Sequence, residues 1–112
     1  MQMTAESIDG IVVVTLAEGT LDAETVKAFR QEVQDQIQPG VRMMLDLGNV
    51  TFVDSAGLGA ILSCLRRLNA AGGDLKLGNI SAPVRSMFEM VRMHRVIDIH
   101  ATREDALRSF AG

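Results

Sequence analysis

The residues best suited to chemistry lie in the segment 52–59, where an extended apolar pattern gives way to a helical one. Ser55 carries a hydroxyl group and stands where the N-cap of a helix is expected. Asp54 places a carboxylate beside the positive end of that helix dipole. Gly57 and Gly59 leave the first turn with little side-chain cover, so a phosphate or another protein's backbone could come close. Plain helix capping, with glycines chosen for close packing, is the alternative interpretation.

Nucleophile and nucleotide-binding motifs do not fit this segment. A serine nucleophile elbow needs Gly-x-Ser-x-Gly, but Val53 takes the first glycine position, and His94 and His100 lie far along the chain. A dinucleotide-binding loop needs a third glycine where Leu62 stands. A P-loop is excluded because the chain has no Gly-Lys-Ser or Gly-Lys-Thr. These mismatches therefore disfavour a serine hydrolase, a dinucleotide-binding protein and a P-loop protein, so a small α/β enzyme is only a weak alternative and we expect no cofactor.

Two further chemistries are disfavoured by residue type. A phospho-acceptor aspartate domain of two-component signalling would share the size of this chain, but it needs paired acidic residues after its first strand. Here Glu18 is followed by Gly19. Cys64 is the chain's single cysteine, so no disulfide framework and no CxxC metal or redox pair is encoded. We expect Cys64 to be a small buried apolar residue on a helix, and we expect no metal site.

The composition predicts one globular domain spanning residues 1–112. The chain is 47% hydrophobic and 22% charged, with 11 basic and 14 acidic residues giving a net charge of −3. This balance, with no Trp, no Tyr and four Phe, argues against nucleic-acid binding. The longest apolar run, Ile11–Leu16, is far shorter than the roughly 20 residues of a membrane span. With no secretory signal in the first ten residues, we expect a soluble cytoplasmic protein that does not bind membranes.

The hydrophobic pattern predicts an α/β fold with a mostly parallel sheet. Ile11–Leu16 and Val41–Leu47 are the strongest predicted strands, and Asp9-Gly10 predicts a hairpin turn that pairs Met3–Ile8 with the first of them. Weaker extended stretches are expected at 50–53, Leu75–Leu77 and Val96–Ile99. The predicted helices begin at Asp22, Asp54-Ser55, Ser81-Ala82-Pro83 and Thr102. The order is β-β-α-β-α-β-α-β-α, with an antiparallel hairpin at the start.

The chain resembles STAS domains, in particular the bacterial anti-sigma factor antagonists. The residues that carry the resemblance are Leu45-Asp46-Leu47, Val50–Gly59, Glu18–Asp22, Gly72–Leu75, Ile80–Val84 and Met87-Phe88. They span nearly the whole chain, and the run Asp-Ser-x-Gly-Leu-Gly is fairly specific. At Ala56 some members of the family have another serine, so Ser55 is here the hydroxyl of the motif itself.

The resemblance implies a partner switch. An unphosphorylated antagonist of this kind binds an anti-sigma factor, usually also a serine kinase with a GHKL-type ATPase fold, and so frees the sigma factor. The kinase phosphorylates the motif serine, here Ser55, which ends the interaction, and a PP2C-type phosphatase restores it. Other STAS proteins are scaffolds or subunits of transport or stressosome-like complexes, or control secretion or motility through non-sigma targets. An acceptor hydroxyl at Ser55 speaks against a permanent transport subunit.

A partner surface is expected around the motif. At about 100° per residue, Ser55, Gly59, Ser63 and Arg66 share the helix face opposite the leucine stripe. The turn before the first helix should end on the same rim of the sheet. The full set of candidate contact residues is Gly19, Thr20, Asp22, Asp54, Ser55, Ala56, Gly57, Gly59, Ser63 and Arg66.

Four features have more than one interpretation. Asp22 could be a simple helix cap, and the helix face could be an ordinary solvated one. Thr51 could be a second phosphorylation target or a buried or paired strand-end residue. Met90 and Met93 could be exposed for partner binding, or an early end of their helix could bury them.

Overall fold

The structure, a computed structural model, describes residues 2–111. Its strands are β1 (Met3–Ile8), β2 (Ile11–Leu16), β3 (Thr20–Leu21), β4 (Arg42–Asp46), β5 (Phe52–Val53), β6 (Asp74–Gly78) and β7 (Asp98–Ile99). Its helices are α1 (Val26–Gln36), α2 (Ser55–Ala70), α3 (Ala82–Met90) and α4 (Arg103–Ser109), with a short 3₁₀ turn at Met93–Arg95.

The main sheet has the strand order β1-β2-β4-β6-β7. β1 pairs antiparallel with β2, and the remaining neighbours pair in parallel. The Asp9-Gly10 turn joins β1 to β2 with positive φ at both residues, 52° and 79°, as a type I′ hairpin turn requires. The predicted α/β class and the antiparallel hairpin are both confirmed.

The helices cover the two faces of the sheet unequally. Phe29 of α1, Leu68 of α2 and Phe88 of α3 belong to one large apolar core on one face. Ala106 of α4 packs with Ile11 and other apolar residues in a smaller core on the opposite face. Because alternate residues of a strand point to opposite faces, the nearly continuous apolar run of β2 supplies side chains to both cores.

The structure adds a second, two-stranded parallel sheet to the predicted elements. β3 pairs with β5, with Thr20 opposite Phe52 and Leu21 opposite Val53. β3 follows the carboxyl end of β2 and β5 follows that of β4, so this small sheet extends one rim of the domain. It fixes where α2 begins, because α2 starts two residues after Val53.

At this rim, the N-caps of α1 and α2 differ from the predicted ones. The first helix does not begin at Asp22. The Asp22 carboxylate instead closes a turn, because it accepts hydrogen bonds from the Glu24 and Thr25 amides at 3.0 and 3.3 Å. The N-cap of α1 is Thr25. The N-cap of α2 is Asp54, and Ser55 is the first helical residue. The carboxylate, rather than the hydroxyl, therefore satisfies the helix end.

The last predicted strand is shorter than Val96–Ile99. The amide of Ile97 bonds to the Met93 carbonyl oxygen, so the 3₁₀ turn takes up the preceding residues and pairing begins at Asp98. Met90 is exposed, whereas the turn places Met93 in the core. The two methionines, which the sequence could not separate, thus have opposite environments.

Candidate functional site

Two turns meet at the rim that β3 and β5 extend. The amide of Thr51 donates a hydrogen bond of 2.8 Å to the carbonyl oxygen of Gly19, and the Thr51 hydroxyl donates to the same oxygen at 3.2 Å. The parallel pairing of β3 with β5 continues this contact. We call residues 19–22 and 54–59 the loop rim. The expected proximity of the two turns is what the structure shows.

Asp54 holds the loop rim together. Its Oδ1 accepts a hydrogen bond of 2.8 Å from the Gly57 amide and so caps α2. Its Oδ2 accepts one of 3.3 Å from the Ala23 amide in the other turn. One half-buried carboxylate therefore ties the start of α2 to the segment that leads into α1.

Ser55 projects its hydroxyl from the beginning of α2 into solvent. Its side chain is exposed, and the hydroxyl makes no hydrogen bond to any other residue in the range 2–111. Within the same range, the amides of Ser55 and Ala56 are not bonded to an acceptor. A helix N-terminus with unpaired amides is a favourable place for an anion. The site thus combines a free hydroxyl with a local field that tolerates a phosphate.

The two glycines of the motif have different surroundings. A Cβ atom on Gly57 would lie 2.3 Å from the Leu21 carbonyl oxygen, so the absence of a side chain lets β3 pack against α2. Gly57 is buried, unlike the other residues expected to contact a partner, and it lets β3 pack closely against α2. A Cβ atom on Gly59 would meet nothing within 4 Å. Gly59 alone provides the open, side-chain-poor surface.

The predicted partner face of α2 is accessible. Ser55, Gly59 and Arg66 are exposed and Ser63 is half-buried, while Ile61, Leu65 and Leu68 lie in the core. In the rest of the candidate set, Gly19 and Thr20 are exposed, and Asp22, Asp54 and Ala56 are half-buried. Apart from Gly57, the structure gathers these residues along the loop rim and the adjoining helix face.

Phe52 is a surface residue that the sequence did not single out. It lies in β5, three positions before Ser55, and is 49% exposed. An aromatic residue in a short apolar stretch is usually assigned to the core, and the extended pattern predicted at 50–53 does not show which side chains of the strand face solvent. Thr51 is exposed and bonded to Gly19, which fits the paired strand-end interpretation.

Asp46 anchors the loop between β4 and β5 from inside the domain. This buried carboxylate accepts hydrogen bonds from the Gly48 amide at 2.9 Å and from the side-chain amide of Asn79 at 3.1 Å. Arg103 of α4 donates to its Oδ2 at 2.7 and 2.9 Å, and this bonding raises the pKa of the arginine above its ordinary value. The sequence feature that could have pointed to this role is the position of Asp46, a charged residue inside a strongly apolar predicted strand.

The remaining candidates for chemistry lie outside the loop rim. Burial raises the pKa of the Cys64 thiol to about 11, which keeps it protonated and unreactive at neutral pH, as expected of a core residue. His94 is exposed in the 3₁₀ turn, and His100 follows β7. No group of three or more His, Cys, Asp or Glu side chains able to hold a metal ion occurs among residues 2–111.

The chain matches the family model of the STAS domain over residues 2–106. It belongs to the STAS domain family. A Paenibacillus polymyxa protein named anti-sigma F factor antagonist is 29% identical over 109 residues, covering 96% of this chain and 92% of that protein. Over residues 2–111, no helix is long and apolar enough to cross a membrane.

Solved STAS structures share this architecture. The Bacillus anti-sigma factor antagonist SpoIIAA in its unphosphorylated form is 25% identical, with a TM-score of 0.67 and 99% coverage of both chains. The murine anion transporter Solute Carrier 26 family member A9 has a TM-score of 0.80 at 23% identity, and the match covers 96% of this chain but only 19% of the transporter. The same fold therefore occurs in proteins with different roles, and the role must be argued from the site.

Proposed function

We propose that this STAS domain is an anti-sigma factor antagonist that is switched by phosphorylation of Ser55. When Ser55 is unmodified, the loop rim and the exposed face of α2 bind an anti-sigma factor that is also a GHKL-type serine kinase, and the sigma factor is released. Phosphorylation of Ser55 by that kinase ends the complex, and a PP2C-type phosphatase restores it. In this cytoplasmic cycle the domain is a binding partner and phosphate acceptor; it catalyses no step itself and needs no cofactor.

The observation that carries the proposal is the free hydroxyl of Ser55 at the start of α2. A kinase needs an acceptor oxygen that it can reach without unfolding its substrate, and Ser55 is exposed and unbonded among the described residues. The helix is capped by Asp54, so the hydroxyl is not needed to satisfy the helix end. Modification of Ser55 would therefore change the surface while the N-cap stays in place.

The shape of the surrounding surface supports partner docking. Gly59 has no neighbour within 4 Å of a Cβ position, which leaves room for another protein's main chain. Phe52 adds a half-exposed aromatic ring, a residue type that is enriched at protein interfaces. Together they give a low-relief apolar centre beside a switchable hydroxyl.

Electrostatics explain how a phosphate would act at this place. The chain has no lysine or arginine between Arg42 and Arg66, so no basic residue of the motif segment neutralises a phosphate on Ser55. Phosphorylation adds about −1.5 to −2 charges beside Asp54. Two unit charges about 6 Å apart repel by about 3 kcal/mol at an effective dielectric constant near 20. In a docked, desolvated interface, a loss of about 3 kcal/mol weakens binding roughly a hundredfold.

A STAS scaffold, a transport subunit, or a switch acting on secretion or motility through a non-sigma target remain the alternatives for this domain. The structural likeness to the anion transporter is a likeness of fold. Ser55 favours the switch, because a permanent assembly has no use for an accessible acceptor at its centre. A structure of SpoIIAA in the phosphorylated form exists among the structural neighbours, at 25% identity and a TM-score of 0.67, which supports the same choice.

The test is phosphorylation of the purified chain by a purified GHKL-type serine kinase that binds it, followed by intact mass and peptide mass spectrometry. We expect one phosphate per chain, on Ser55, and none on a Ser55→Ala variant. A Thr51→Val variant serves as the matched control and should be phosphorylated like the unaltered chain. A phosphate on another residue, or none under conditions in which the kinase is active, would refute the proposed switch.

A further inference from the structure

The residues between α3 and β7 lie at the edge of the domain opposite to the loop rim. α3 follows the carboxyl end of β6 and leads to the amino end of β7, which runs parallel to β6. The loop rim, in contrast, follows the carboxyl ends of β2 and β4. We call Met90–Val96 the basic-apolar segment. Its position on the opposite edge separates it from Ser55 and from the partner surface proposed above.

Large apolar side chains of the basic-apolar segment face solvent. Met90 is 83% exposed, Val91 54% and Val96 57%. Met93 lies between them and is buried, so it fixes the segment to the core. The amides of Arg95 and Val96 bond to the carbonyl oxygens of Arg92 and Met93, which folds the segment into consecutive tight turns. The three exposed side chains give the segment apolar surface that a partner protein can cover.

The same segment is positively charged on an acidic protein. Arg92 and Arg95 are exposed, and no aspartate or glutamate occurs from residue 90 to residue 97. Among residues 2–111, neither arginine forms an ion pair or a side-chain hydrogen bond. The whole chain carries a net charge of −3, so this positive surface contrasts with the rest of the molecule.

The backbone conformation of Arg92 is also unusual for a residue with a long side chain. Arg92 has a φ of 61°, in the left-handed region that glycine adopts freely and other residues adopt at a cost. Its side chain forms no described bond that offsets this cost within the fold. A glycine would end α3 equally well. The arginine therefore contributes nothing evident to the fold, and its charge is free for an external partner.

We propose that the basic-apolar segment binds an acidic segment of a partner protein that also carries apolar side chains. Arg92 and Arg95 pair with its carboxylates, and Met90, Val91 and Val96 receive its apolar residues. An anionic membrane is a poorer fit, because recognition of anionic lipid takes clusters of about four to eight basic residues. The flexible side chain of Met90 is suited to adaptable apolar contact with a peptide.

The experiment is a titration of the ¹⁵N-labelled full chain with a synthetic helical peptide of glutamate and leucine residues, followed by amide chemical shifts. We expect shift changes centred on residues 90–96 and a saturable affinity. Replacing the glutamates of the peptide by glutamines should abolish most of the binding. The Ser55→Asp variant should bind the peptide as the unaltered chain does, because the surface is independent of the proposed switch.

Arg92→Gly is the decisive variant, because it removes the charge while relieving the left-handed strain. We expect it to melt at an equal or higher temperature, yet to bind the peptide about threefold to fivefold more weakly, the effect of losing one exposed ion pair. Arg30→Gln removes an exposed charge on α1 and should bind normally.

Several outcomes would overturn the proposal. They are unchanged affinity of Arg92→Gly, shift changes centred elsewhere, equal binding of the glutamine peptide, and the absence of binding. Association with phosphatidylserine vesicles in preference to the acidic peptide would assign the surface to a membrane instead.

Discussion

The two glycines of the motif provide a matched pair for testing how α2 is positioned. Both lie in the first turns of the same helix, two residues apart. A Cβ atom at Gly57 would be 2.3 Å from the Leu21 carbonyl oxygen and 2.8 Å from Cγ1 of Val53, whereas one at Gly59 would meet nothing within 4 Å. Alanine should therefore change the stability of the domain in opposite directions at these two positions.

The magnitudes follow from packing and helix propensity. Alanine in place of glycine inside a helix is worth about 0.5–1 kcal/mol, so Gly59→Ala should stabilise by roughly that amount. At Gly57 the gain in helix propensity is outweighed by steric overlap with β3. Non-bonded heavy atoms pack best at about 3.5–4.0 Å, so β3 would have to move away from α2 by about 1 Å. Overpacking of this kind costs about 1–3 kcal/mol. We expect Gly57→Ala to be about 1–2 kcal/mol less stable than the unaltered chain.

Urea unfolding followed by far-UV circular dichroism measures both changes, since the chain has no tryptophan or tyrosine to report by fluorescence. For a domain of about 100 residues, 1 kcal/mol corresponds to about 4–8 °C in melting temperature, so the two variants should separate clearly. Equal stability of the two variants, or a Gly57→Ala variant more stable than Gly59→Ala, would refute the packing of β3 against α2 described above.

The other predictions concern the switch, its surface and the supports beneath it. Ser55→Ala should bind the kinase constitutively and Ser55→Asp should bind it poorly, and both variants should melt like the unaltered chain. Calorimetric titration measures the affinities. If Ser55→Asp and the phosphorylated chain bind as tightly as the unmodified chain, Ser55 is not the switch. Phe52→Ala and Gly59→Lys should each weaken kinase binding without loss of fold, the first by about 1 kcal/mol or more and the second by steric block; unchanged affinities would move the docking site elsewhere. Arg103→Gln should destabilise the domain by about 3 kcal/mol in urea unfolding, because it leaves the buried Asp46 carboxylate without its cation, and a change below about 1 kcal/mol would contradict that role. A hydrogen bond from Lys76 lowers the pKa of the Asp98 carboxyl below its ordinary 3.8. The small stabilisation from this partly exposed pair is therefore present at neutral pH and lost as the pH falls through and below 3.8. When unfolding is measured against pH, the Asp98→Asn variant should not show this acid-dependent loss of stability.

The sequence predicted those parts of the fold that depend on the local hydrophobic pattern and on the residues of turns. The β-branched run Ile11–Leu16 predicted a strand covered on both faces, and Asp9-Gly10 supplied the two positive φ angles of the hairpin. The apolar spacing of α2 predicted which face enters the core and which stays exposed. These features depend on neighbours a few residues apart, so they can be predicted before the tertiary contacts are known.

Long-range pairings could not be predicted in this way. The small β3–β5 sheet joins residues about thirty positions apart, and it alone explains why Gly57 is buried and Phe52 is exposed. The N-caps were misplaced because residue type does not decide between neighbouring capping residues. The Asp22 carboxylate closes a local turn with the Glu24 and Thr25 amides, and the Asp54 carboxylate caps α2 through Gly57 while also bonding to Ala23 across the rim. The ion pair between Asp46 and Arg103 spans 57 positions.

Asp54 links the fold of the loop rim to the proposed switch. Its carboxylate holds the Gly57 and Ala23 amides, while the amides of Ser55 and Ala56 are unbonded among the described residues. A phosphate on Ser55 would find these two donors and the helix dipole on one side and the Asp54 charge on the other. We expect the attraction to offset the repulsion within the isolated domain, so that the phosphorylated domain stays folded. In the proposed complex, a docked partner would remove the water that screens the two charges, so we expect the repulsion to grow and the complex to dissociate while the domain stays folded.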